Sequence, residues 1–341
     1  MAGSEATGLF LCRLKPIPGS HEVRQKRGDS PSDGLTKRDK SILQASQEEK
    51  TGVLYALFAF AFWGLVPIYF KAVDHVSPLE VVAHRVLWSV PVTALLITLN
   101  RDWRALRQAL SSRKVLATLF LTAVLVATNW FLFIYAVTTN RVLDASLGYY
   151  INPLVNVLLG IVFLKERLKP LQLAAVLLAA AGTTNLTIHH GRFPWIALVL
   201  GITFGFYGLL RKTVRIESVN GLFVETGLVS PFALGCLVII GLKGTLAFGT
   251  VDWETTLLLL LAGAVTTFPL VSFTAGARRI RYSTLGLLQY LGPTIMFLLA
   301  VFLYNEAFTL INLITFCLIW TALALFAIDS LYQHRGAAKQ L

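Results

Sequence analysis

The segment "SLGYYINPLVNVLLGIVFL", residues 146–164, runs nineteen positions without a charged side chain. As a helix it is about 28 Å long, close to the ~30 Å of a bilayer's hydrocarbon core. Tyr149, Tyr150, Asn152, Pro153 and Asn156 punctuate it. Apolar runs of similar length recur along the chain, at roughly 52–70, 79–99, 115–137, 144–163, 171–188, 194–210, 221–242, 255–273, 284–303 and 307–328. The 341 residues are 55% hydrophobic and 14% charged, against about 25% charged in soluble domains. A soluble protein with buried helices would need shorter runs and more polar faces. The fold class expected is therefore an all-α integral membrane protein with ten transmembrane helices.

The gaps between these runs divide sharply by charge. Gaps 100–114, 164–170, 211–220 and 274–283 hold five, three, three and three Lys or Arg, and the alternate gaps hold one or none. The first fifty residues add nine Lys or Arg against seven Asp or Glu. Cytoplasmic loops carry the excess of Lys and Arg, so the alternation predicts ten spans with both termini in the cytoplasm. Residues 1–50 read as a polar, disordered cytoplasmic tail, with no apolar region and cleavage site of a secretory signal. The net charge of +12 follows this topology, and no nucleic-acid partner is expected. Within gap 100–114, Trp103, Leu106 and Leu110 fall on one helical face opposite Arg101, Arg104 and Arg107, as in a short helix lying in the interface.

The chain also repeats itself. "FWGL" at 62–65 matches "FYGL" at 206–209, and "SLGYYINP" at 146–153 matches "TLGLLQYLGP" at 284–293. Pro91 and Pro231 occupy corresponding places, and Glu166 and Glu306 each follow the matched prolines by thirteen residues. The repeat units expected are 51–188 and 194–332, five spans each. An odd number of spans inserts the second copy upside down, and inverted repeats with a midplane site are a transporter pattern. Paired interruptions point to such a site, here Pro153 and Pro293, which free carbonyls near Tyr149 and Gln289.

Arg85, inside the second run, aligns with Glu225, inside the seventh. A lone Arg at mid-bilayer costs at least ~2.5–3.5 kcal/mol, so intramembrane charges point to function. Helical rise leaves an axial gap of roughly 10 Å between the two, which suits a shared wet cavity better than a direct pair. His84 points about 100° away from Arg85 and is a candidate proton carrier or a packed side chain. Asn129, Trp130, Tyr149, Asn152, Gln289 and Tyr290 are candidates for lining the cavity, or for hydrogen-bonded glue between helices. Ser77-Pro78-Leu79-Glu80 reads as a capping box with Pro at the first helical position. "NLT" at 185–187 matches a glycosylation sequon but overlaps a span end.

No P-loop, HExxH or GxSxG is present, and Cys12, Cys236 and Cys317 form no metal-ligand cluster. No catalytic residue, metal or cofactor is expected, and transport would draw on a substrate gradient or coupled ions.

At "GVLYALFAFAFWGLVPIYFK", "HRVLWS", "ASLGYYINPLVNVLLG", "FYGLLRK", "ET" at 225–226 and "LVSFTAGARRIRYSTLGLLQYLGPTIMFLLAV", the chain resembles a RarD-type member of the EamA family, within the drug/metabolite transporter superfamily. The resemblance runs from about residue 50 to 332. It implies two five-helix EamA repeats around a central cavity, with spans five and ten outside it and available for homodimer contacts. It implies a permease or exporter for small metabolites, amino acids or drugs, and the chloramphenicol-sensitivity label of RarD proteins describes a phenotype rather than a substrate. The expected function is a secondary transporter of the cytoplasmic (inner) membrane, working by alternating access. A ligand-binding membrane sensor, an integral membrane enzyme and a lipid flippase are the alternatives. The expected partners are a small anionic or zwitterionic organic substrate, the lipid bilayer and a coupling proton or other ion.

Overall fold

The computed structural model describes residues 37–138, 142–189, 193–303 and 310–338, and over them the chain is helical with no strand. The elements are α1 (Lys37–Ala72), α2 (Pro78–Asn100), α3 (Trp103–Leu110), α4 (Arg113–Thr138), α5 (Val142–Leu164), α6 (Pro170–His189), α7 (Trp195–Thr213), α8 (Ser218–Leu242), α9 (Trp253–Arg279), α10 (Tyr282–Leu288), α11 (Leu291–Phe302) and α12 (Leu310–Ala338). Eight of them, α1, α2 and α4 to α9, are long and apolar enough to cross a bilayer. α10 continued by α11 makes a ninth segment, and α12, apolar over Leu313–Asp329, the tenth.

The short α3 lies in the basic gap, with Leu106 buried and Trp103 edge-on to Phe223 of α8 at 5.7 Å. α1 starts at Lys37, so helix extends through residues 37–50, which composition alone reads as a disordered tail. Glu306 falls outside the described residues.

The matched prolines behave differently. α5 passes through Pro153 unbroken, whereas α10 stops at Leu288 and α11 starts at Leu291. A proline leaves the carbonyl four residues back without its helical donor. For Pro293 that carbonyl belongs to Gln289, and the Gly292 N–H takes it at 3.1 Å in a tighter turn. In α5, hydroxyls of neighbouring elements reach the carbonyl next to the one that Pro153 frees. Tyr290 Oη and Thr183 Oγ1 both donate to the Tyr150 carbonyl, at 3.2 and 3.3 Å. The expected pair of interruptions is thus a single break at 289–290.

The extensive helix contacts join one half of the sequence to the other. α1 packs on α9 and α11, α2 on α8 and α9, α4 on α7, α5 on α7 and α10, and α6 on α12. Small residues make these approaches close. A Cβ at Gly205 would lie 2.7 Å from Val155 Cγ1, and one at Gly263 would overlap the Trp88 backbone. In lipid, where burying apolar surface gives little between helices, this backbone proximity supplies the packing energy. Phe60, Tyr207, Phe273, Tyr282 and Leu285, all at most 1% exposed, form the centre of the main cluster.

Candidate functional site

Arg85 and Arg211 both lie in span helices, in unlike surroundings. Arg85 is half-buried on α2, seven residues past Pro78. Its Nε donates to Thr266 Oγ1 of α9 at 2.9 Å. Its guanidinium carbon lies 5.5 Å from the Phe70 ring centre and 5.4 Å from that of Trp130. Tyr69 and Tyr149 lie within electrostatic range of it. Among the described residues no carboxylate pairs with Arg85. Aromatic faces attract a cation only modestly, by ~0.5–2 kcal/mol each, so they hold the group without neutralising it. Its remaining donors can meet an anion.

Arg211 is the opposite case. It sits in the last turn of α7, 1% exposed, with Nε 3.5 Å from Glu225 Oε1. Glu225 is equally buried, and it also accepts from Thr122 Oγ1 of α4 at 2.6 Å and from Tyr207 Oη of α7 at 3.2 Å. Arg211 Nη2 donates to the Ser218 carbonyl at 2.8 Å. Space for the guanidinium comes from Gly221, where a Cβ would overlap it. The carboxylate therefore ties α4, α7 and α8 together near the end of the bundle that carries the basic loops.

The structure thus separates Arg85 from Glu225. Trp130 and Tyr149 belong with Arg85, and Tyr149 is 40% exposed. His84 goes elsewhere. Its Nδ1 accepts from Trp88 Nε1 at 3.0 Å, its ring lies 4.7 Å from that of Phe248, and its Nε2 is 3.9 Å from Glu80 Oε1. Asn129 Nδ2 donates to the Leu200 carbonyl and Thr203 Oγ1 of α7, at 2.9 and 3.0 Å.

Asn152, Asn156 and Gln289 form a buried amide network between α5 and the α10–α11 break. Gln289 Nε2 donates to Asn152 Oδ1 at 2.5 Å, Asn156 Nδ2 donates to Gln289 Oε1 at 2.7 Å, and Asn152 Nδ2 donates to the Gly201 carbonyl at 2.7 Å. Tyr290 is fully buried against Tyr150 and Thr183. These amides act between helices within the protein, each exchanging hydrogen bonds that lipid could not supply.

The capping box at 77–80 is not formed. Ser77 makes no side-chain cap, and the fully buried Glu80 carboxylate accepts from the backbone N–H groups of Ala247 and Phe248, both at 2.9 Å. Pro78 at the first position leaves one fewer N–H to cap, and the loop after α8 offers two converging donors instead. Asn185 of the sequon-like triplet is turned to α12, donating to Thr315 Oγ1 at 3.0 Å. Among the described residues no three His, Cys, Asp or Glu side chains could hold a metal ion.

Sequence reasoning missed Arg211, Tyr207 and Thr122 around Glu225, and Thr266 and Phe70 around Arg85. By sequence Arg211 falls with a loop, because the apolar run ends at residue 210. Its spacing of four from Tyr207, on the same face of α7, was the available sign.

Eight membrane-length helices, with the broken α10–α11 segment and α12 beside them and charged side chains set inside, define a multi-pass membrane protein. Residues 50–188 match the EamA-like transporter family. A Vibrio cholerae protein named "uncharacterized transporter" is 48% identical over 293 residues, 86% of this chain and 97% of its own length. Protein RarD of Escherichia coli is 43% identical over 294 residues, covering 86% of this chain and 99% of its own. A crystal structure at 20% identity superposes with a TM-score of 0.65, over 82% of this chain and 97% of the other, and shows the same fold. The chain belongs to the EamA family of membrane transporters, among its RarD-type proteins.

Proposed function

We propose that the protein is a secondary transporter that docks the acidic group of a small organic molecule on Arg85 and moves it by alternating access. One observation carries this reading. Arg85 is a half-buried guanidinium inside the membrane region with two aromatic faces beside it and no acid paired with it among the described residues. A guanidinium presents a planar fork of donors suited to a carboxylate, and rings at its flanks suit the organic part of such a ligand.

In the same reading the repeats 51–188 and 194–332 are inverted copies, and the basic loops face the cytoplasm from the inner membrane. The Glu225–Arg211 tie then lies at the cytoplasmic end, and transport requires α4 to part from α7 and α8 there. Glu225 is the candidate for carrying a coupled proton, since protonation would weaken its hold on Arg211. The paired α6 and α12 are the face for a second copy.

The test is counterflow in proteoliposomes loaded with an amino-acid and carboxylic-acid panel, with amphenicols as uncharged comparators. Accumulation of an acidic label by the wild type and its loss in Arg85→Gln is the expected result. Binding of an acidic label without accumulation would mean a sensor, and turnover of a compound into a product would mean an enzyme.

A further inference from the structure

We propose that the connection from α2 to α4 docks the headgroup of an anionic phospholipid, and that the bound headgroup braces the corner between α7 and α8. Five cations, Arg101, Arg104, Arg107, Arg113 and Lys114, occur within fourteen residues there, and all five are exposed. None of them makes an ion pair or side-chain hydrogen bond to another described residue.

Several other cations at this end of the bundle are already occupied, and Lys165, Arg167, Lys169 and Arg215, which are not, are spread over two loops. Lys212 Nζ donates to the carbonyls of Ala277 and Ile280 at 2.6 and 2.5 Å, Arg278 donates to that of Ile216, and Arg281 Nη2 donates to that of Arg167 at 2.5 Å. Arg279 Nη1 donates to the Ala275 carbonyl at 2.9 Å and its guanidinium lies over Tyr55. The α2–α4 connection is therefore a dense group of cations with free valence, located where two apolar helices leave the membrane.

The shape of α3 suits a headgroup layer. Arg104 and Arg107 share one face of the helix, and the opposite face sets buried Leu106 among Ile97, Val115, Leu119, Val214 and Ile216. Trp103, 37% exposed, lies edge-on to Phe223 and donates from Nε1 to Thr98 Oγ1 at 3.0 Å. An amphipathic helix with Arg on one face, Leu on the other and Trp at the boundary lies in the plane of the interface, and a cluster of basic residues next to a span attracts anionic lipid. Because Leu106 and Trp103 pack on Val214, Ile216 and Phe223, a headgroup pinning α3 also holds the α7–α8 corner, next to Arg211 and Glu225.

The test uses the full-length protein in a neutral detergent, titrated with dioleoyl phosphatidylglycerol while its unfolding midpoint is followed. The comparators are dioleoyl phosphatidylcholine, inorganic phosphate, Arg104→Gln/Arg107→Gln, and Lys165→Gln/Arg167→Gln from another basic loop. Phosphatidylglycerol is expected to raise the midpoint where phosphatidylcholine and phosphate do not. Arg104→Gln/Arg107→Gln should keep the lipid-free midpoint and need at least about ten-fold more phosphatidylglycerol, each lost cation weakening attraction several-fold. Lys165→Gln/Arg167→Gln should respond as the wild type does. Equal response to phosphatidylcholine, a full response to phosphate alone, or an undiminished response of Arg104→Gln/Arg107→Gln would each overturn the proposal.

Discussion

Arg85 and Arg211 are both guanidinium groups within the membrane-spanning helices, yet the protein treats them in opposite ways. Arg211 is sealed, with its own carboxylate, a backbone carbonyl and a glycine that makes room for it. Arg85 is half-buried, held by one hydroxyl and two ring faces. A charge given a fixed partner inside the protein fixes helices in place. A charge left without one keeps its attraction for something that arrives and leaves. The contrast separates a structural pair from a candidate binding group without any appeal to position in the repeat.

The largest effect should come from unbalancing the sealed pair. Glu225→Leu leaves a buried Arg211 without its counter-charge and should cost about 3–5 kcal/mol. Arg211→Met combined with Glu225→Leu should recover most of that loss, as replacements of whole buried pairs do. Denaturant unfolding in detergent reads both, and a double variant as unstable as the single one would break the pairing. Gly221→Ala comes next, at about 1–3 kcal/mol, because the new methyl would force the guanidinium off Glu225. An unchanged midpoint would mean that Arg211 has another rotamer available.

Glu80→Gln should cost about 1–2 kcal/mol, since a neutral amide holds the Ala247 and Phe248 N–H groups less strongly than a carboxylate. Faster hydrogen exchange confined to residues 245–250 would report the loosened loop, and unaltered exchange would refute the clasp. Arg85→Gln should change stability by less than about 1 kcal/mol, because the rings and hydroxyl it leaves are individually weak partners. A large loss of stability would move Arg85 into the structural class with Arg211.

The smallest effect is at Asp252, where the Thr255 N–H holds the carboxyl below the usual carboxylate range. A depressed folded value contributes stability that is present above the unfolded value near pH 4 and is lost as pH falls through the folded one. The wild type should therefore lose slightly more stability below pH 4 than Asp252→Asn does. Parallel pH profiles would remove the cap from the account.

The spans were legible because lipid demands long uncharged runs, and most runs reappear as helices within a few residues, whereas α1 and α12 extend further and the run 284–303 divides into α10 and α11. The short helix α3 was legible from the opposition of Leu106 to Arg104. What escaped was the pairing of charges. Sequence aligned Arg85 with Glu225, but the carboxylate found Arg211, whose place in the last turn of a span looks like the start of a basic loop. Glu80 escaped for a related reason: a local capping pattern competed with two backbone donors 167 and 168 residues away, and the distant donors prevailed. The amides Asn152 and Gln289 were noticed as polar, yet only the packing of α5 on α10 shows that they bond to each other.

The most direct test of the account is ligand-dependent thermal stabilisation of the purified protein against amino acids, carboxylic metabolites and amphenicols. Ligands that bind the folded state raise its midpoint by mass action. If Arg85 docks the substrate's acidic group, an acidic ligand's stabilising effect disappears in Arg85→Gln while that variant's unliganded midpoint stays near the wild-type value. An acidic ligand that stabilises Arg85→Gln as strongly as the wild type would contradict it.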